Sequence, residues 1–115
     1  MAKVTREIPR EEWERYFDDY SRDLGEVVAH LEVIGEEVGA QTEAEHPRLR
    51  GITYDRGDDI LVIGLDSIGG TSEDLEHIVY GPQKILVEEG DGDVVVYDIE
   101  DAEQNQTLLS LEPAV

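Results

Sequence analysis

The chain has 115 residues, with 29 acids against nine Lys plus Arg and a formal net charge of -20. It holds no cysteine, which excludes a disulfide framework, a thiolate nucleophile and a Cys-based metal site. Nucleic acid is excluded as a partner because phosphate neutralisation needs clustered Lys and Arg, and a membrane span because no apolar stretch approaches the ~20 residues required.

The first element follows Pro9. Proline suits a first helical turn, and Glu11 and Glu12 suit the positive N-terminal end of a helix. Trp13, Phe17, Tyr20 and Leu24 recur at spacings of four, three and four, so they share one helical face, with Tyr16 beside it. Such a stripe docks an amphipathic helix on a sheet; a ligand-stacking platform is the alternative. Gly25 is placed to stop this helix.

From Gly25 onward the period becomes two. Val27, Ala29, Leu31 and Val33 point one way, and Val28, His30 and Glu32 the other. "EEVG" turns into "GAQTEAE", and Pro47 in "HPRLRG" predicts a loop or a strand edge. "ITYDRGDD" and "ILVIGL" read as a hairpin with Gly57 at its turn, the second strand being the longest apolar run and suited to burial. "DSIGGTSED" is a loop. "LEHIVY" and "KILVEE" flank the turn signal Gly81-Pro82. Asp91-Gly92 is a hairpin turn before "VVVYDIE". "AEQNQ" leads to a last strand, "TLLSLE", and a loose tail.

The apparent motifs are weak in their details. Counted from Asp91 as an EF-hand, positions five and six fall on Val95 and Val96, where a ligand and a glycine belong. "GLDSIGGT" has the glycine spacing of a phosphate loop, but Gly70 stands where its lysine belongs. His30, His46 and His77 form no metal-ligand spacing, and no serine lies in a nucleophile-elbow context. "RGD" at 56–58 is a turn. With 29 acids, carboxylate pairs arise by chance and carry no information about glycoside hydrolysis.

The charge is read as solvation. In dilute buffer such a surface repels itself, whereas at multimolar salt the Debye length falls to about 3 Å. The expectation is a protein from the cytoplasm of a salt-accumulating halophile. "MAKVTREIPREEW" carries no apolar run of signal-peptide type. The alternative use of the acids is a decoy for a basic protein, which would need them on one face.

"IPREEW", then Tyr20-Ser21-Arg22 and Gly25, resemble a family of small uncharacterised prokaryotic proteins, a domain of unknown function with an N-terminal Ile-Pro-x-x-x-Trp helix. The resemblance continues in "LEVIG" at 31–35, "GAQTEAE" at 39–45, Pro47, Leu49, Gly51 and Ile52. It runs on through His77-Ile78, Pro82 and "DIEDAE" before "TLLSL". It implies a common fold with no assigned activity and transfers no site residues. It also implies a glycine near Gln104 or Asn105, which this chain lacks, leaving the turn type there open.

The expected architecture is a single α+β domain, residues 1–115, with the N-terminal helix packed on an antiparallel meander of about six to eight short strands. The expected role is a non-enzymatic binding or assembly module, a homodimer formed through open strand edges, with no nucleic-acid or membrane partner. No catalytic, cofactor or metal residues and no specific ligand are expected. Gln41, Glu43 and His77 are the polar cluster that would line a binding site. The rivals are a small hydrolase or isomerase using carboxylates and a His, and the acidic decoy.

Overall fold

The computed structural model describes residues 4–35, 39–66, 75–90 and 94–113, and their side chains apart from those of 39–46 and 75. Among the described residues the elements are β1 (Val4–Glu7), a 3-10 turn (Arg10–Glu12), α1 (Trp13–Arg22), β2 (Val27–Gly35), β3 (Gly39–Asp55), β4 (Ile60–Leu65), β5 (Leu75–Tyr80), β6 (Pro82–Glu89), β7 (Val95–Asp101) and β8 (Gln106–Pro113). All strand pairings are antiparallel, in the order β1-β6-β7-β8-β2-β3-β4-β5. One helix on an eight-stranded antiparallel sheet is the α+β architecture expected.

The strands form two meanders, β2 to β5 and β6 to β8, laid side by side through β8 and β2. Their junction decides the overall shape. β5 and β6 are joined by Gly81 alone, yet β5 ends the sheet order and β6 lies next to its other end. A one-residue link cannot cross a flat sheet of that width, so the sheet rolls up until the two regions meet. Gly81 is the corner, with a left-handed φ of 60° that glycine adopts without a steric penalty. Its N–H donates to the Asp59 carbonyl at 2.9 Å, and its own carbonyl accepts from Ala102 at 3.0 Å. Gly81-Pro82 is therefore a bend between non-pairing strands.

Pro47 does not interrupt its segment. β3 runs unbroken from Gly39 to Asp55, so of the loop or strand edge expected there, the loop is corrected. Val28 faces Arg48 while His30 faces Glu45, so β3 spends one residue more than β2 across this step. Proline has no N–H for the ladder, and this bulge is where the ladder skips a pair. The β2–β3 ladder shifts again between Leu31 and Glu32, and a further irregularity, between Leu49 and Gly51, lies where β3 leaves β2 and begins pairing with β4.

The "IPREEW" stretch closes one side of the roll. Ile8 donates its N–H to the Ile85 carbonyl at 2.9 Å, and its own carbonyl accepts from Trp13 Nε1 at 2.8 Å. Both side chains are buried. Ser21 pins the far end of α1: its hydroxyl donates to the Ile52 carbonyl and accepts from the Ile52 N–H, each at 2.9 Å. The helix ends at Arg22, earlier than Gly25, and Gly25 does not take the left-handed conformation of a C-terminal cap.

One core fills the roll. Trp13 and Phe17 from α1 meet Ala29, Leu31, Ile52, Leu61, Ile63, Ile85, Tyr97, Ile99 and Leu109, among others, from the strands. β4 buries Leu61, Ile63 and Leu65 but leaves Ile60 and Val62 half-buried, so only one of its faces is interior. Three segments are clasped by Arg10. Its guanidinium donates to the Pro82 carbonyl at 2.8 Å, to Asp59 Oδ1 at 3.3 Å and to the Tyr54 hydroxyl at 3.4 Å. It also lies 4.5 Å from the Trp13 ring centroid. Among the described residues no helix is long and apolar enough to cross a membrane.

Candidate functional site

The apolar stripe that starts on α1 and runs past its end to Leu24 is not buried along its whole length. Trp13 and Phe17 are buried, whereas Tyr20 and Leu24, the last two members, are only half-buried. Among the described residues, five half-buried apolar ones pack against the core: Tyr16, Tyr20, Leu24, Val27 and Val95. All five line one cavity of about 610 Å³ at the end of the roll, floored by the buried Leu111. Its rim carries Asp19, Asp23, Glu26 and Glu112.

The cavity wall is stiffened from behind. Tyr97 is fully buried, and its ring meets Tyr16, Phe17 and Tyr20 edge-on, with centroids 5.4–6.2 Å apart. The Tyr16 and Tyr97 hydroxyls hydrogen-bond at 3.1 Å. Burial, aided by the neighbouring Tyr16, pushes the Tyr20 phenol up to about 12. Burial drives Tyr97 higher still, reinforced by its bond to Tyr16. Both rings therefore present neutral phenols at ordinary pH.

Two rim acids are already engaged. Asp19 pairs with Arg22 at 2.5 Å and Glu26 with Arg48 at 3.2 Å. Asp23 and Glu112 have no ion pair among the described residues. Gly25 lies on the rim, and a Cβ added there would meet no atom within 4 Å. The glycine thus leaves open space at the cavity mouth.

The residues singled out from the sequence lie elsewhere. The side chains of Gln41 and Glu43 are outside the described residues. In backbone register Gln41 stands opposite Val33. His77, on β5, is half-buried and lines a separate cleft of about 250 Å³ together with Val33, Asp101, Asn105 and Thr107. His30 sits opposite Ser110 on the outer face of β2 and lines a further hollow of about 300 Å³. The stretch Asp91 to Asp93 and most of "GLDSIGGT" are outside the described residues; among those described, no group of three His, Cys, Asp or Glu could hold a metal ion. Tyr16, Tyr20 and Leu24 are visible in the sequence as a helix-docking stripe with a ligand-stacking platform as the alternative, and the two are not separable there because a stripe that docks a helix and a stripe that half-lines a pocket share one period.

A family model described as "Family of unknown function (DUF5335)" matches residues 4–115. The chain is 38% identical over 112 residues to an "Uncharacterized protein" of Aquifex aeolicus (strain VF5), covering 97% of this chain and 96% of that protein. No solved structure matches the chain.

Proposed function

The chain belongs to this family of unknown function, and from that premise we propose a non-enzymatic binding module that takes a ligand with an apolar body in the cavity beside Tyr16 and Tyr20. One observation carries the proposal: all five half-buried hydrophobics flanking the core converge on this cavity. Ligand pockets of about 300–1,000 Å³ are lined in this way, by apolar and aromatic groups with a few polar ones at the edge. The hydrolase reading, which needs a histidine beside an acid, belongs to a different place, the smaller cleft that His77 shares with Asp101 and Glu103.

The test is a plug. Gly25→Trp projects a bulky ring into open space, so the fold tolerates it. Binding of a neutral apolar fluorophore, followed by its emission, is expected in the wild type and lost in the variant. Equal emission from both would reject the cavity as the site.

The acids support the salt-adapted surface that completes this proposal, with the salt-rich cytoplasm as its medium. Exposed acids occur on α1 (Glu14, Asp18), on the β3–β4 turn (Asp55, Asp58) and on β5 (Glu76), β6 (Glu89) and β7 (Glu100). That spread favours solvation over a one-sided decoy. Assembly is a second reading with its own support. Among the described residues the large exposed hydrophobics are Val4 on β1 and Tyr80 on β5, the two strands that end the sheet order. Light-scattering mass in multimolar KCl tests it, with a dimer expected that Tyr80→Glu dissociates and a monomer refuting it.

A further inference from the structure

Resting on the cavity as a binding site, we infer that its ligand is an organic cation with an apolar body, of the alkylammonium or arylalkylamine class. The cavity's shape selects the body and its rim selects the charge. Leu24, Val27, Val95 and Leu111 offer only apolar contact. Among the described lining residues there is no Lys or Arg, while four carboxylates stand at the mouth. Asp23 and Glu112, which have no ion pair among the described residues, remain for an incoming charge.

The aromatic wall points the same way. A phenol ring presents the negative face of its quadrupole, which attracts a cation and repels an anion. The chain already uses this property on one of these rings: the Arg6 guanidinium stands 5.6 Å from the Tyr16 ring centroid. Arg6 does not line the cavity, whereas Tyr16 and Tyr20 both do. The cleft beside His77 also joins a tyrosine and apolar residues with two acids, Asp101 and Glu103, but at about 250 Å³ it is less than half the size of this cavity, at about 610 Å³. A bare carboxylate in water gains little from a cation, whereas carboxylates and π faces around an apolar hollow hold charge and body together.

Three octyl compounds with identical tails decide the matter: octyltrimethylammonium, octanol and octyl sulfate. They are titrated calorimetrically into the folded chain at the lowest KCl concentration that keeps it folded. The cation is expected to bind at least about tenfold more tightly than octanol, with the sulfate weakest. The Asp23→Asn, Glu112→Gln double variant should bring the cation down towards octanol and leave octanol unchanged. Gly25→Trp should abolish both. If octanol binds as tightly as the cation, the charge preference is wrong while the apolar cavity stands. If Gly25→Trp leaves cation binding intact, the general acidic surface holds the cation and the inference falls. If none of the three compounds binds, the cavity reading itself falls, and the inference with it.

Discussion

Arg10 holds the roll shut, and its removal has a calculable cost. The side chain ties the 3-10 turn to the β3–β4 turn through Asp59 and to the β5–β6 corner through Pro82. A hydrogen bond from a charged donor contributes about 1.5–3 kcal/mol; half exposure of the Arg10 side chain, at 48%, places this one at the lower end. The ion pair with Asp59, itself 44% exposed, adds at most about 1 kcal/mol. Stacking over Trp13 adds about 0.5–1 kcal/mol. Asp59 keeps its 2.7 Å bond from the Tyr54 hydroxyl after truncation, so it is not orphaned. Arg10→Ala should therefore lose about 2–3 kcal/mol, a fall in Tm of roughly 10 °C for a domain of this size. Arg10→Lys keeps the charge but not the planar fork, and should lose about half as much. Denaturant unfolding at fixed KCl, read from Trp13 fluorescence, measures both. A double-mutant cycle with Asp59→Asn isolates the ion pair, whose coupling should shrink as salt rises while the rest of the loss persists. If both Arg10 variants stay within about 0.5 kcal/mol of the wild type, the clasp contributes nothing and the corner is held by the backbone alone.

Ser21→Ala deprives the Ile52 N–H and carbonyl of their shared partner; a loss of about 1–3 kcal/mol is expected, and an unchanged denaturation midpoint would show that water replaces the hydroxyl. On the alkaline side, Tyr20 and Tyr97 have folded-state pKa values above the unfolded value of about 10. The native state therefore holds their protons more tightly, and the stability they contribute is complete below pH 10. It declines as pH rises through 10 towards 12. Phenolate absorbance at 295 nm should show Tyr97 ionising only together with unfolding, and reversible ionisation of all five tyrosines in the folded chain would contradict the packed cluster. Thermal unfolding across a KCl series should show stability climbing steadily with salt and indifferent to trace calcium; full stability in dilute buffer, or a jump with calcium, would assign the acids to a specific site.

What the sequence determined by itself is local and periodic. The four apolar residues from Trp13 to Leu24 announce α1, and the alternation from Val27 to Val33 announces β2, because a helix and a strand each impose a repeat on the side chains they bury. Turn chemistry located the β3–β4 connection, whereas "AEQNQ" only marked a gap before the last strand; the left-handed residues in the two turns are Asp59, at φ 54°, and Gln104, at φ 66°. In the second turn Gln104 takes a conformation that glycine would adopt more readily. β1 left no signal because all four of its residues are exposed and nothing alternates. Pro47 misled because a bulge that tolerates proline depends on the register of the neighbouring strand, β2. The roll, the Arg10 clasp and the cavity belong to the tertiary structure alone. Each depends on which strands meet after Gly81 turns the corner, and that is set by the packing of residues far apart in the chain. The same packing leaves Tyr16, Tyr20, Leu24, Val27 and Val95 half-covered around a space that no stretch of sequence outlines.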